Sequence, residues 1–281
     1  MDSLVFAAVL LAAAAHAGWN AAIKRGLDPL VTTVLIALGA GVVAIPILAW
    51  VGLPAVAAWP WVTASVIVHL GYFAGLIEAY RAGDMSQVYP IARGAAPLLT
   101  ALVSTAWLGE RLGLLGWVGL LCLVGGVMML SLRGGGDLAR LDRRAVGFAL
   151  FTALTVCAYT VIDGIGVRAS GNALAYTAAA FFGNAVIMAL YGLARRGEKL
   201  LASPWQMWRT GLGGGALQFA SYGVALWAMT IVPIAVVAAL RETSVLFGAL
   251  IAVVVLREPL RPSRMAAAVL IVAGLVMIKV H

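Results

Sequence analysis

Apolar residues in this chain come in long unbroken runs, with polar residues gathered into short breaks between them. Runs of about 20 residues match the length needed to cross roughly 30 Å of hydrocarbon at 1.5 Å per residue. The pattern predicts ten spans, at 3–23, 30–52, 61–82, 86–108, 112–132, 145–167, 173–193, 211–230, 233–256 and 263–280. The breaks are too short to hold a soluble domain. Strict two-residue alternation is absent and glycine is spread through the runs, which predicts helices and argues against a barrel. The fold expected is therefore all-α and integral to the membrane.

Composition agrees with the pattern. Of the 281 residues 63% are apolar and 11% charged, with a mean hydropathy of +1.03, against about 25% charged in soluble domains. The net charge of +8 would suit nucleic acid if it were clustered on one soluble face, and it is not. Numbering the breaks alternately places Lys24, Arg25, Arg81, Arg133, Arg140, Arg143, Arg144, Arg195, Arg196, Lys199, Arg209, Arg257, Arg261 and Arg264 on one side. Arg111, Arg168 and Lys279 fall on the other, so the division is fourteen against three. The positive-inside rule makes the first side cytoplasmic and puts both termini outside. Cys122 and Cys157 lie inside spans without metal-ligand spacing and read as small apolar residues. No metal, cofactor or nucleic-acid partner is expected. The LAAAAHA stretch resembles a signal-peptide core, yet it carries Asp2 and no positive n-region, so it is kept as the first span.

The spans repeat. Arg93–Leu112 (RGAAPLLTALVSTAWLGERL) and Arg241–Leu260 (RETSVLFGALIAVVVLREPL) align at an offset of 148 residues, with seven of twenty positions identical. Both arginines match, as do Glu110 and Glu258. Five spans per repeat is an odd number, so the second copy enters the membrane in the opposite sense. The expected organisation is two inverted five-helix repeats, 1–132 and 145–281, joined by a cytoplasmic loop at 133–144 (RGGGDLARLDRR). Trp59, Trp61, Trp107, Trp117, Trp205 and Trp208 sit near span ends, as indoles at the headgroup layer do.

Charge inside the spans marks the candidate chemistry. An arginine at the bilayer centre costs about 3 kcal/mol on insertion scales, so Arg93 and Arg241 must face protein, water or an anion. At 100° per residue, Ser86, Tyr89, Pro90, Pro97, Thr100 and Ser104 fall within about 60° of Arg93, a polar stripe suited to a cavity wall. The alternative for Arg93 is a lock, paired with a neighbouring acid. Glu242, about 100° round the helix from Arg241, is either a fixed counter-ion or a proton-coupling carboxyl. In span 1 His16, Asn20 and Lys24 form one stripe, with Lys24 a surface anchor and His16 a gate, a proton relay or a plain interhelical hydrogen bonder. His69, Tyr72, Phe73, Leu76 and Tyr80 share a face of span 3, and span 8 offers Gln218, Ser221, Tyr222 and Trp227. Such aromatic faces are packing more often than pocket. Tyr159 and Asp163 are an i,i+4 pair in span 6, with Asp163 near the predicted outer end, where a merely interfacial role is one reading.

The segment YPIARGAAPLLTALVSTAWLGERL and the Glu-containing turns LGERL and LREPL resemble the EamA branch of the drug/metabolite transporter superfamily, over the whole chain. HAGWNAAIKR is similar to the opening of a subgroup associated with phosphonate-utilisation gene clusters. The resemblance implies secondary transport of a small metabolite without ATP, often export, in the bacterial inner membrane. The expected mechanism is alternating access around a midplane cavity, with Arg93, Arg241 and Glu242 as the charged contacts and His16, Asn20, His69, Tyr72, Tyr80, Tyr89, Gln218 and Tyr222 as further lining. Two cations against one acid favour an anionic or zwitterionic solute such as an amino acid or organophosphonate. The competing classes are a passive anion facilitator and a polytopic enzyme acting on phosphate-linked lipid. The enzyme lacks any HExxH, phosphate loop or Ser/His/Asp set in the breaks. Oligomeric state, net direction and coupling ion are not legible.

Overall fold

The computed structural model describes residues 1–23, 29–82, 85–131, 143–200, 203–254 and 262–280. Among them the regular structure is helical, with no strand. The helices are α1 (Ser3–Ile23), α2 (Pro29–Val51), α3 (Trp59–Ala82), α4 (Met85–Trp107), α5 (Leu114–Ser131), α6 (Arg143–Ala169), α7 (Ala173–Arg196), α8 (Trp205–Met229), α9 (Ile234–Arg241), α10 (Ser244–Val254) and α11 (Pro262–Val280). Nine of the ten predicted spans correspond to one helix each. The eighth begins earlier than predicted, at Trp205 behind Pro204, because proline suits a helix entry and the polar WQMWRT stretch continues it.

The ninth span is the correction. It is two helices, α9 and α10, separated at Glu242 and Thr243. The backbone tightens there, with Glu242 N–H bonding Ala239 O at 3.0 Å and Thr243 N–H bonding Leu240 O at 3.1 Å, both three residues back. The Thr243 hydroxyl adds a 2.7 Å bond to the same Leu240 carbonyl. A side-chain donor competing for a helical carbonyl, together with three-residue bonds, interrupts the four-residue ladder that a single helix needs.

Six segments among the described residues are long and apolar enough to cross a membrane: 30–51, 56–73, 146–169, 173–196, 234–251 and 262–280. Large apolar side chains point outward along several helices, for example Leu11, Leu154, Val269 and Val276, each about half exposed or more. A surface of this kind is what a hydrocarbon environment covers, and the backbone polar groups are satisfied within each helix. This is a multi-pass membrane protein.

The chain packs as two compact units. The first comprises 1–14, 71–161 and 232–281, and the second 15–70 and 162–231. Each takes helices from both sequence repeats, so repeat and packing unit are different divisions of the chain. In the first unit α5 packs on α11 and α4 packs on α5 and α9; in the second α2 packs on α7 and α8.

Within the first unit the α5–α11 contact is reciprocal. A methyl group placed on Gly126 would lie 2.9 Å from Ala267 O and 2.6 Å from Ile271 Cγ1. One placed on Gly274 would lie 2.6 Å from Gly119 O and 2.8 Å from Leu123 N. Subtracting the repeat offset of 148 converts 267, 271 and 274 into 119, 123 and 126, so each helix presents equivalent positions to the other. Residue numbers rise on α5 as they fall on α11, so the two run antiparallel. Glycine is required here because the backbones approach closer than any side chain permits. Gly126→Ala should therefore overpack the interface and destabilise by about 1–3 kcal/mol. Gly147, which has open space around the site of a Cβ, should tolerate the same change. Thermal unfolding in detergent compares the two.

Candidate functional site

The first unit holds the charged constellation. Arg93 lies on α4, and its Nε sits 3.0 Å from Glu242 Oε2. Its terminal nitrogen donates to Ser244 Oγ at 2.8 Å. Glu242 and Ser244 flank the α9–α10 break, so the interruption of the helix is what turns both toward one guanidinium. Glu242, Thr243 and Ser244 are buried, whereas the Arg93 side chain keeps 18% of its surface exposed. Arg241 follows at the C-terminal end of α9, where the helix dipole favours a cation.

The other end of α9 is held by a residue from the α4–α5 turn. Glu110 Oε2 accepts the Ile234 backbone N–H at 2.8 Å. Ile234 is the first residue of α9 and its N-cap, Pro233, offers no side-chain bond. The carboxylate thus supplies the cap that the local sequence lacks, at the helix end that favours an anion. The motif glutamate of LGERL anchors the short helix whose other end carries Arg241 and Glu242. Glu110→Ala should cost about 1 kcal/mol of stability, with Glu110→Gln recovering most of it because the amide oxygen still accepts. Unfolding of the two variants side by side checks this.

Tyr72 stands edge-on to Tyr159, with ring centroids 5.9 Å apart, and next to Phe73 at 5.2 Å. This is an aromatic packing cluster of the first unit. The side chains of Asn20, Tyr80 and Tyr89 lie outside the described residues, as does Lys24.

The second unit holds a polar network centred on Asp163, which is fully buried among protein atoms. Its Oδ1 accepts from Tyr176 Oη at 2.9 Å and its Oδ2 from Tyr222 Oη at 2.5 Å. Three helices, α6, α7 and α8, are tied together by one carboxylate. Tyr222 meets His69 edge-on at 6.5 Å and Phe181 at 6.0 Å. His69 Nδ1 lies 2.8 Å from Ser65 O on its own helix. His69 and Tyr222, named separately among the expected lining residues, thus meet at one edge contact, beside Asp163 and Tyr176, which that lining did not include. Gln218, one turn before Tyr222, and His16 on α1 are half-buried.

The model of the EamA-like transporter family matches residues 3–132 and again residues 143–280. The chain belongs to the EamA-like transporter family. It is thereby a member of the drug/metabolite transporter superfamily, present as two family repeats in one chain. A search of curated proteins finds no match. A solved structure, described only as the crystal structure of a protein, matches with a TM-score of 0.76 at 19% identity, over 99% of this chain and 96% of the other. At that identity the likeness concerns the fold. Members of the EamA family are transporters and not enzymes.

Proposed function

We propose that this EamA-like protein is a secondary transporter of a small anionic or zwitterionic metabolite, with Arg93 as the contact for the anionic group. The carrying observation is the Arg93–Glu242 ion pair at the α9–α10 break. Arg93 and Arg241 against Glu242 give a net charge of +1, so an anion completes the balance where a cation would worsen it. A carboxylate or phosphonate matches the planar guanidinium fork with two parallel N–H bonds, and can take the place of Glu242 on Arg93. Release of Glu242 from Arg93 frees the end of α9, which is the kind of two-state element that alternating access needs.

The antiparallel, reciprocal α5–α11 contact supports the inverted arrangement of two five-span repeats. The bias of fourteen basic residues to three supports both termini outside. Export across a bacterial inner membrane follows from the family resemblance, and a proton is the proposed coupling ion.

The test is a ligand screen on the purified protein, because a ligand that binds the folded state raises its apparent stability. Amino acids and organophosphonates should raise the unfolding temperature, and organic cations should leave it unchanged. Flux of the stabilising solutes is then measured in proteoliposomes with and without an imposed pH gradient. Stabilisation by cations alone would refute the anionic reading, and flux that never concentrates solute would replace the transporter by a passive facilitator.

A further inference from the structure

Arg93 and Glu110 belong to one piece of chain, α4 and the turn that follows it, and they take hold of α9 at its two ends. Arg93 meets Glu242 at the α9–α10 break, 3.0 Å away, and Glu110 Oε2 accepts the Ile234 N–H at 2.8 Å. Arg93, Glu110, Ile234 and Glu242 all lie in the first unit. Between the two contacts α9 is a single eight-residue helix, about 12 Å long, with Ile234–Leu240 buried. A short buried helix held at both ends moves as one body, so what fixes its start also fixes where Glu242 stands.

The hold at the start is tied to α4 through the backbone. Gly109 turns the chain with φ of +68°, and the Glu110 N–H returns to Ser104 O, on α4, at 3.1 Å. The hold at the other end is less directed. Glu242 Oε2 stands at ion-pair distance from Arg93 Nε, yet it accepts no hydrogen bond among the described residues. A solute carboxylate or phosphonate that aligns two N–H bonds on the guanidinium competes with it. The outcome of that competition depends on how closely α9 keeps Glu242 to Arg93.

Capping alone does not account for this arrangement. A serine, asparagine or aspartate just before α9 would cap it from its own chain. Here Pro233 offers no side-chain bond, and the cap comes from 124 residues away, on the element that bears the arginine.

We infer that Glu110 is a positioning residue for solute binding: by holding the start of α9 it keeps Glu242 against Arg93, and so it sets how readily an anionic solute displaces that carboxylate. The inference rests on the reading of Arg93 as the solute contact. It has a sign that a purely structural role lacks. Removing the cap should destabilise the folded protein and yet tighten solute binding, because the internal competitor is held less firmly.

The experiment uses the full chain in phosphatidylcholine nanodiscs with radiolabelled methylphosphonate as the probe, its dissociation constant measured by equilibrium dialysis at constant ionic strength. Glu110→Ala should lower the dissociation constant by up to about fivefold, the free energy of one helix cap converted into affinity, while the probe-free unfolding temperature falls. Glu110→Gln, whose amide oxygen still accepts, should restore both toward the parental values. In a Glu242→Gln background, Glu110→Ala should leave the dissociation constant unchanged, since the competitor through which it acts is already disabled. An unchanged or raised dissociation constant in Glu110→Ala, with the unfolding temperature lowered, would overturn the inference and leave Glu110 as a cap. Arg93→Lys tests the reading beneath it: if that variant binds as the parental protein does, Arg93 is not the solute contact, whatever Glu110 does. If methylphosphonate binds no variant, the cycle of unfolding free energies decides alone. Additive costs of Glu110→Ala and Glu242→Gln would overturn the link between the two ends of α9, and a coupling between them would uphold it without the solute.

Discussion

Replacing Arg93 by lysine should leave a folded, inserted protein that transports roughly ten- to hundredfold more slowly. Lysine keeps the charge opposite Glu242 and so preserves the ion pair, but a point ammonium cannot present two parallel donors. A hydrogen bond to a charged group is worth about 1.5–3 kcal/mol, and each 1.36 kcal/mol is about tenfold in rate. Arg93→Ala is a poorer probe, because it strands Glu242 in an apolar interior at a cost of about 3–5 kcal/mol and confounds folding with function. The informative partner is the reversal Arg93→Glu with Glu242→Arg. It should recover most of the stability lost by either reversal alone, since the pair is rebuilt with opposite polarity, but should not recover transport. Flux in proteoliposomes together with unfolding in detergent separates the two effects. Parental flux from a correctly inserted Arg93→Ala, Glu242→Ala double variant would mean that the pair is a lock between α4 and α9 and no part of the solute path.

Asp163→Ala should be among the most destabilising single changes in the second unit, at about 2–6 kcal/mol. Two buried phenol donors lose their acceptor together, at about 1–3 kcal/mol each. Asp163→Asn should cost less, because the amide oxygen still accepts from one tyrosine. Tyr176→Phe and Tyr222→Phe each leave one carboxylate oxygen unsatisfied and should be non-additive in combination, since both act on the same acceptor. The measurement is equilibrium unfolding of the four single variants and the tyrosine double. Additive tyrosine effects, or an Asp163→Ala cost under about 1 kcal/mol, would show that the network contributes little and that helix packing alone holds α6, α7 and α8.

Most of the span pattern was legible because the bilayer imposes a length and a composition on each helix, and both are local properties of sequence. The nine single-helix spans agree with the helices for this reason. Arg93 and Glu242 stood out because a charge inside an apolar run is costly wherever its partner lies. The break between α9 and α10 was hidden, because Glu242, Thr243 and Ser244 interrupt an apolar run without a proline or glycine at the break. Only the bond from Thr243 to Leu240 and the pull of Glu242 toward Arg93 explain why the helix stops there.

The partners themselves were not legible. Asp163 was visible only as a carboxyl near the end of span 6, because the tyrosines that take its two oxygens lie 13 and 59 residues away. Glu110 was visible as a repeated motif residue with no assigned task, because the backbone it caps is 124 residues further on.

By itself the sequence determined that this protein lies in a membrane, that its backbone is helical, that it was built by duplication and that it carries uncommon charge within its spans. Those follow from hydrophobicity, helical period and the offset of 148 residues, which need no knowledge of what touches what. The tertiary structure alone decided that Arg93 is held by Glu242 and Ser244, that Asp163 gathers two tyrosines, that Glu110 caps α9 and that Gly126 and Gly274 admit a facing backbone. Hydrogen bonds and close packing act over a few ångströms between groups far apart in the chain, and that information exists only once the helices are packed.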